Sequence, residues 1–112
     1  MSIRVLRQQE LPFSNIANEL VGSDHDVGVC IIFVDAPPGR GPTLHKHPYE
    51  EIFIVLEGQA TFRSGDGELE VRAGDVVIVP AETPHAFTSS PEGRLRQIDI
   101  HVNPAFDTEW LA

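Results

Sequence analysis

At 112 residues the chain is long enough for one domain with a modest core. Seventeen acidic against eight basic residues leave a formal net charge of -9, which argues against a nucleic-acid backbone or an anionic membrane surface as partner. The nine prolines and nine glycines fall between apolar runs, which is the punctuation of many short strands rather than of a disordered tract.

In chain order, "MSIRVLRQQELP" carries no signal-peptide core, and no stretch is long enough to span a bilayer, so a cytoplasmic setting is expected. Short, β-branched apolar runs follow at 3–6, 27–35, 51–58, 59–64, 68–72, 76–80, 85–89 and 94–102. Each is ended by a turn signal such as "PPGRGP", "GDG", "PAETP" or "SPEG". Short strands with turns every 8–12 residues predict an all-β sandwich or barrel occupying residues 1–112 as one unit. Helix is confined to a turn or two at 14–20, and residues 104–111 form either a short turn or an extended tail. The single cysteine, Cys30, lies inside "VCIIFV" and reads as a small buried hydrophobe. Runs such as "CIIFV", "IFIVL" and "VVIV" are apolar on both faces, whereas a lone small barrel alternates. An outer sheet face should therefore be covered, by the N-terminal segment or by a second copy, and a homodimer is expected.

The chemistry concentrates in "HKHPYEE", residues 45–51, directly before a buried-looking run. In a strand, residues i and i+2 share a side with Cα atoms about 6.5–7 Å apart, so the imidazoles of His45 and His47 can reach one ion. The same parity carried past Pro48 brings Glu51, Phe53 and Val55 to that side and sends Glu50 to the other, although proline usually marks an edge or bulge. A further ligand has to come from another strand, and His85 in "VIVPAETPHAF" is the candidate. His25 lies in the polar loop "SDHDVG", and His101 shares a polar face with Gln97 and Asp99 in the last strand. A solvated loop is the bland alternative for an isolated HxH pair; the spacing to Glu51 and the later histidine weigh against it.

These residues also resemble a known family. The segment from Gly39 through His45, His47 and Glu51 to Gly58 resembles the first cupin motif at every fixed position. The segment from Gly74 through Pro80 and His85 to Ser89 resembles the second, with Glu82 where glycine is usual and Ser89 where asparagine is usual. The resemblance implies a double-stranded β-helix, or jelly-roll, with one divalent metal at its mouth, held by His45, His47, Glu51 and His85. Three imidazoles and a carboxylate suit Fe, Mn, Ni, Cu or Zn, and ligand type alone does not choose among them. By parity and position, Phe53, Val55, Phe62, Phe87 and Val79 are candidates for a pocket wall, with Tyr49 at the mouth and His101 beside it. A small-molecule ligand or substrate follows from such a pocket. The activity stays open between a metal-dependent oxygenase, isomerase or lyase, a non-catalytic binding or sensing barrel, and a structural barrel.

Overall fold

The β-branched runs pair into two antiparallel sheets that face each other across one core. The computed structural model describes residues 2–112. Its strands are β1 (Phe13–Ser14), β2 (Ala17–Leu20), β3 (Cys30–Ala36), β4 (His45–Lys46), β5 (Glu51–Glu57), β6 (Gln59–Ser64), β7 (Gly67–Arg72), β8 (Val76–Val79), β9 (His85–Ser89), β10 (Leu95–His101) and β11 (Glu109–Trp110). One sheet has the order β1-β2-β3-β10-β5-β8 and the other β11-β4-β9-β6-β7. This is the jelly-roll arrangement: from β3 to β11 the chain changes sheet at every step except the β6–β7 hairpin. No helix among the described residues is long and apolar enough to cross a membrane.

Period-two alternation decides what fills the interior. From the first sheet Val34, Phe53, Val55 and Leu95 point inward, and from the second Ala60, Phe62 and Phe87 meet them. The Phe53 and Phe62 rings pack edge to face at 4.9 Å, and each such side chain fully buried contributes about 1.5–3 kcal/mol. Two glycines are fixed by close approach. A Cβ on Gly58, which has φ +86°, would stand 2.1 Å from the Arg94 carbonyl oxygen, and one on Gly41 would stand 2.0 Å from that of Phe87. Any side chain at either position would prise β-strands apart.

Two sequence expectations are corrected. Residues 3–6 form no strand: they join neither sheet, and Ile3 and Val5 are largely exposed. Residues 14–20 are not helical but a hairpin of β1 and β2. Asn15 adopts φ 58°, a left-handed conformation asparagine tolerates, and this reverses the chain. The tail resolves to its extended alternative, since Glu109 pairs with Lys46 and Trp110 with His45.

Candidate metal centre

The HxH pair and Glu51 do not share one strand. The chain leaves β4 after Lys46, crosses at Pro48 and enters the opposite sheet as β5 at Glu51. Proline, which cannot donate to a ladder, stands where pairing ends. The crossing leaves Glu51 buried and Glu50 exposed. His85 opens β9 directly opposite His45, and the backbone N–H of Glu82 donates to the His47 carbonyl at 2.7 Å, tying the two motif segments together. Glu82 holds φ 64°, so the glycine usual at this position in the resembling family has a conformational reason; glutamate there costs about 1 kcal/mol. Ser89 is buried and bridges backbone, donating to the Pro37 carbonyl and accepting from the Arg40 N–H.

His45, His47, Glu51 and His85 are each 6% exposed or less, and one ligand atom from each lies within 4.8 Å of all the others. The backbone orients every ring. His45 Nδ1 donates to the Thr43 carbonyl at 2.6 Å, His85 Nδ1 to Thr83 at 2.8 Å and His47 Nδ1 to Asp107 at 2.9 Å. A neutral imidazole donating through Nδ1 presents a lone pair at Nε2, so three lone pairs converge on one point. The Nε2 atoms of His47 and His85 stand 3.2 Å from Glu51 Oε1, and His47 Nε2 is buried without a hydrogen-bond partner. Lone pairs facing a carboxylate oxygen repel unless a cation lies between them, and a buried orphan of this kind asks for one. The residues therefore fit a divalent metal ion.

The ligand residues differ in their electrostatics: burial pulls the His47 imidazole down, but the facing Glu51 carboxylate and the Asp107 carbonyl outweigh burial and raise it. Burial pushes the Glu51 carboxyl up, but the hydrogen bond from His101 and the His47 and His85 imidazoles beside it outweigh burial and hold Glu51 below the usual carboxylate range. Burial pulls the His45 imidazole down, keeping it neutral and free to ligate.

Behind the four residues runs a directed chain of hydrogen bonds. The Asp107 N–H donates to Tyr49 Oη at 3.3 Å, the Tyr49 hydroxyl donates to His101 Nδ1 at 2.7 Å, and His101 Nε2 donates to Glu51 Oε2 at 3.0 Å. Glu51 Oε2 is thereby occupied and Oε1 is left for the metal. Burial pushes the Tyr49 hydroxyl up to about 12, so it keeps the proton that this direction requires.

A cavity of about 290 Å³ opens above the site, with Phe53, Phe87 and His101 on its wall. Val55, Phe62 and Val79 lie in the core beneath, while Tyr49 is stacked behind His47 with ring centroids 5.0 Å apart. His25 sits half-buried in its loop, outside the cavity lining. Sequence reasoning missed Glu19, on the hairpin read as helix, and Phe106, Thr108 and Trp110 of the tail, all of which line the cavity. The aromatics of the tail are the signal that could have found Phe106 and Trp110.

The family model described as a Cupin domain matches residues 32–101, the span from β3 to the end of β10. The chain belongs to the cupin family. Among curated relatives, an acireductone dioxygenase of Alcanivorax borkumensis is 36% identical over 72 residues, covering 61% of this chain and 38% of that one. An oxalate-binding protein of Thermotoga maritima is 33% identical over 55 residues, covering 48% of this chain and 46% of that one. This cupin spans half or less of the length of such relatives. A crystal structure of a cupin-like protein from Thermotoga maritima superposes with a TM-score of 0.77 at 27% identity, covering 86% of this chain and 74% of that one.

Proposed function

We propose that this cupin is a metal-dependent enzyme acting on a small organic molecule at a mononuclear divalent centre, with chemistry of the oxygenase, isomerase or lyase type. The observation that carries the reading is the convergence of three Nε2 lone pairs and one carboxylate oxygen at the floor of a cavity large enough for a small molecule. Bound there, the metal would act as a Lewis acid, and a redox metal would add electron-transfer chemistry. The chain supplies the rest. His45, His47, Glu51 and His85 hold the ion, Phe53 and Phe87 form an apolar wall, and the tail residues Phe106 and Trp110 restrict water at the mouth. The dioxygenase relative supports the enzyme reading, and the oxalate-binding relative supports a second one, a binding barrel without turnover. Oxygen uptake and product analysis with iron-loaded and manganese-loaded protein decide between them. Turnover of any small substrate that vanishes on chelation supports the enzyme, whereas saturable binding without turnover across the screen supports the second reading.

A homodimer is part of the proposal. On the outer face of the six-stranded sheet, Ile31 and Phe33 of β3 stand beside Ile100 and Ile98 of β10, followed by Ile52 and Ile54 of β5 and then Ile78 and Val76 of β8. Val76 is 60% and Ile78 68% exposed. A continuous aliphatic face of this kind matches an interface between copies. Light scattering on the eluting peak should give the mass of two chains, and Ile52→Glu combined with Ile78→Glu should give one. A wild type with the mass of one chain would sink the dimer.

A further inference from the structure

We propose that the cavity takes an uncharged molecule with two neighbouring hydroxyl-type oxygens and turns away small dicarboxylates. This rests on the metal-centre reading and adds the substrate class to it.

Apart from Glu51, the cavity is lined by two carboxyl side chains, Glu19 of β2 and Asp99 of β10. They lie on the same inward row of the sheet, each paired with Ile32 of the strand between them. No lysine or arginine lines the cavity among the described residues. The exposed guanidinium of Arg40 is engaged with the side chain of Asn15 at the rim. Burial pushes both the Glu19 and the Asp99 carboxyls up, with the Glu51 charge adding to the effect at Asp99.

A divalent ion set against the Glu51 carboxylate leaves one net positive charge at the floor. A dianion would more than cancel it, in a cavity lined by no lysine or arginine that could balance the excess. The formal charge of -9 on the chain also works against the approach of anions. Hydroxyl groups meet a different situation, because a carboxyl can exchange hydrogen bonds with an O–H whether or not it holds its own proton. Asp99 Oδ1 accepts from Gln97 Nε2 at 2.8 Å, which fixes the carboxyl on the cavity wall. A ligand with two adjacent hydroxyls can place both oxygens toward the metal while their O–H bonds point at Glu19 and Asp99. Its carbon body then rests between Ile16 and the rings of Phe106 and Trp110. Trp110 stands 5.0 Å from the His45 ring, close enough to cover a flat molecule seated over the ligands.

The test uses the zinc-loaded 112-residue chain, which avoids redox side reactions, with zinc content measured before and after each titration. Protein that retains no zinc refutes the metal centre itself. With zinc retained, calorimetric titration at neutral pH compares catechol, an uncharged vicinal diol, with oxalate. Catechol is expected to bind about tenfold or more tighter than oxalate, the scale of one well-placed hydrogen bond to a carboxyl. Glu19→Leu should weaken catechol by about tenfold without loss of zinc, and Glu19→Arg should move the preference toward oxalate. Oxalate binding as tightly as catechol to the wild type would overturn the proposal. So would catechol affinity indifferent to Glu19→Leu, or zinc-loaded protein that binds neither probe.

Discussion

Alanine in place of His47 is expected to reduce metal content from near one equivalent per chain to below about a tenth, because it removes one of four ligands whose Nε2 is already orphaned. Elemental analysis of protein purified without an affinity tag or added metal reads this directly, and far-UV circular dichroism checks that the barrel persists. The same variant should lose metal-linked stabilisation. For a site saturated at 100 to 1,000 times its dissociation constant, binding to the native state alone contributes about 2.7–4.1 kcal/mol, so the wild type should melt at visibly higher temperature with metal than without. His47→Ala should melt at the same temperature in both conditions. The effect carries a pH sign: imidazole ligands bind metal only when deprotonated, so wild-type metal affinity should fall as pH drops through the histidine range. Wild-type protein that neither contains metal nor takes it up on reconstitution would remove the basis for the proposed function.

The second large effect is expected at Tyr49, which touches no metal. Phenylalanine at this position keeps the ring stacked on His47 but deletes the hydroxyl that accepts from the Asp107 N–H and donates to His101 Nδ1. His101 then loses the partner that fixes which nitrogen carries its proton, and Glu51 Oε2 loses a donor of fixed orientation. Removing such a supporting partner typically weakens metal binding by about 10- to 100-fold, here with the fold retained. A competition titration against a chromophoric chelator measures the dissociation constant. If Tyr49 merely fills space, Tyr49→Phe will bind metal as the wild type does, and the hydrogen-bond chain will have no role in holding Glu51.

Much of the centre is written in the chain itself, for a physical reason. A metal ion demands donors of fixed type at short range, and the turn glycines and proline that bring them together have backbone conformations few residues replace. His45, His47, Glu51 and His85 are therefore legible from type and spacing, and so are the strands that follow Gly58 and Gly74. Parity counting puts Glu51 on the right side for the wrong reason, since the segment changes sheets at Pro48 instead of continuing as one strand. Local pattern also fails where tertiary partners decide. "SNIANEL" is short enough to suit a helical turn or a hairpin, and it becomes a hairpin because β3 offers Ala17, Asn18, Glu19 and Leu20 a ladder to join. "IRVL" has the propensity of a strand but pairs with neither sheet, since propensity without a ladder partner does not make a strand. Glu19, Phe106 and Trp110 reach the cavity only because the hairpin and the tail close over it, which no spacing rule encodes.

The tail strand has one more consequence. β11 pairs with the two residues of β4, Leu111 N–H donates to the Leu44 carbonyl, and the Asp107 carbonyl holds the His47 ring. Undocking of residues 104–112 and escape of the ion are thus two faces of one equilibrium, and by linkage each must bias the other equally. A bound ion will slow hydrogen–deuterium exchange along a segment that contributes no ligand to it. Anything that peels the tail away will in turn shorten the time the ion resides in the barrel.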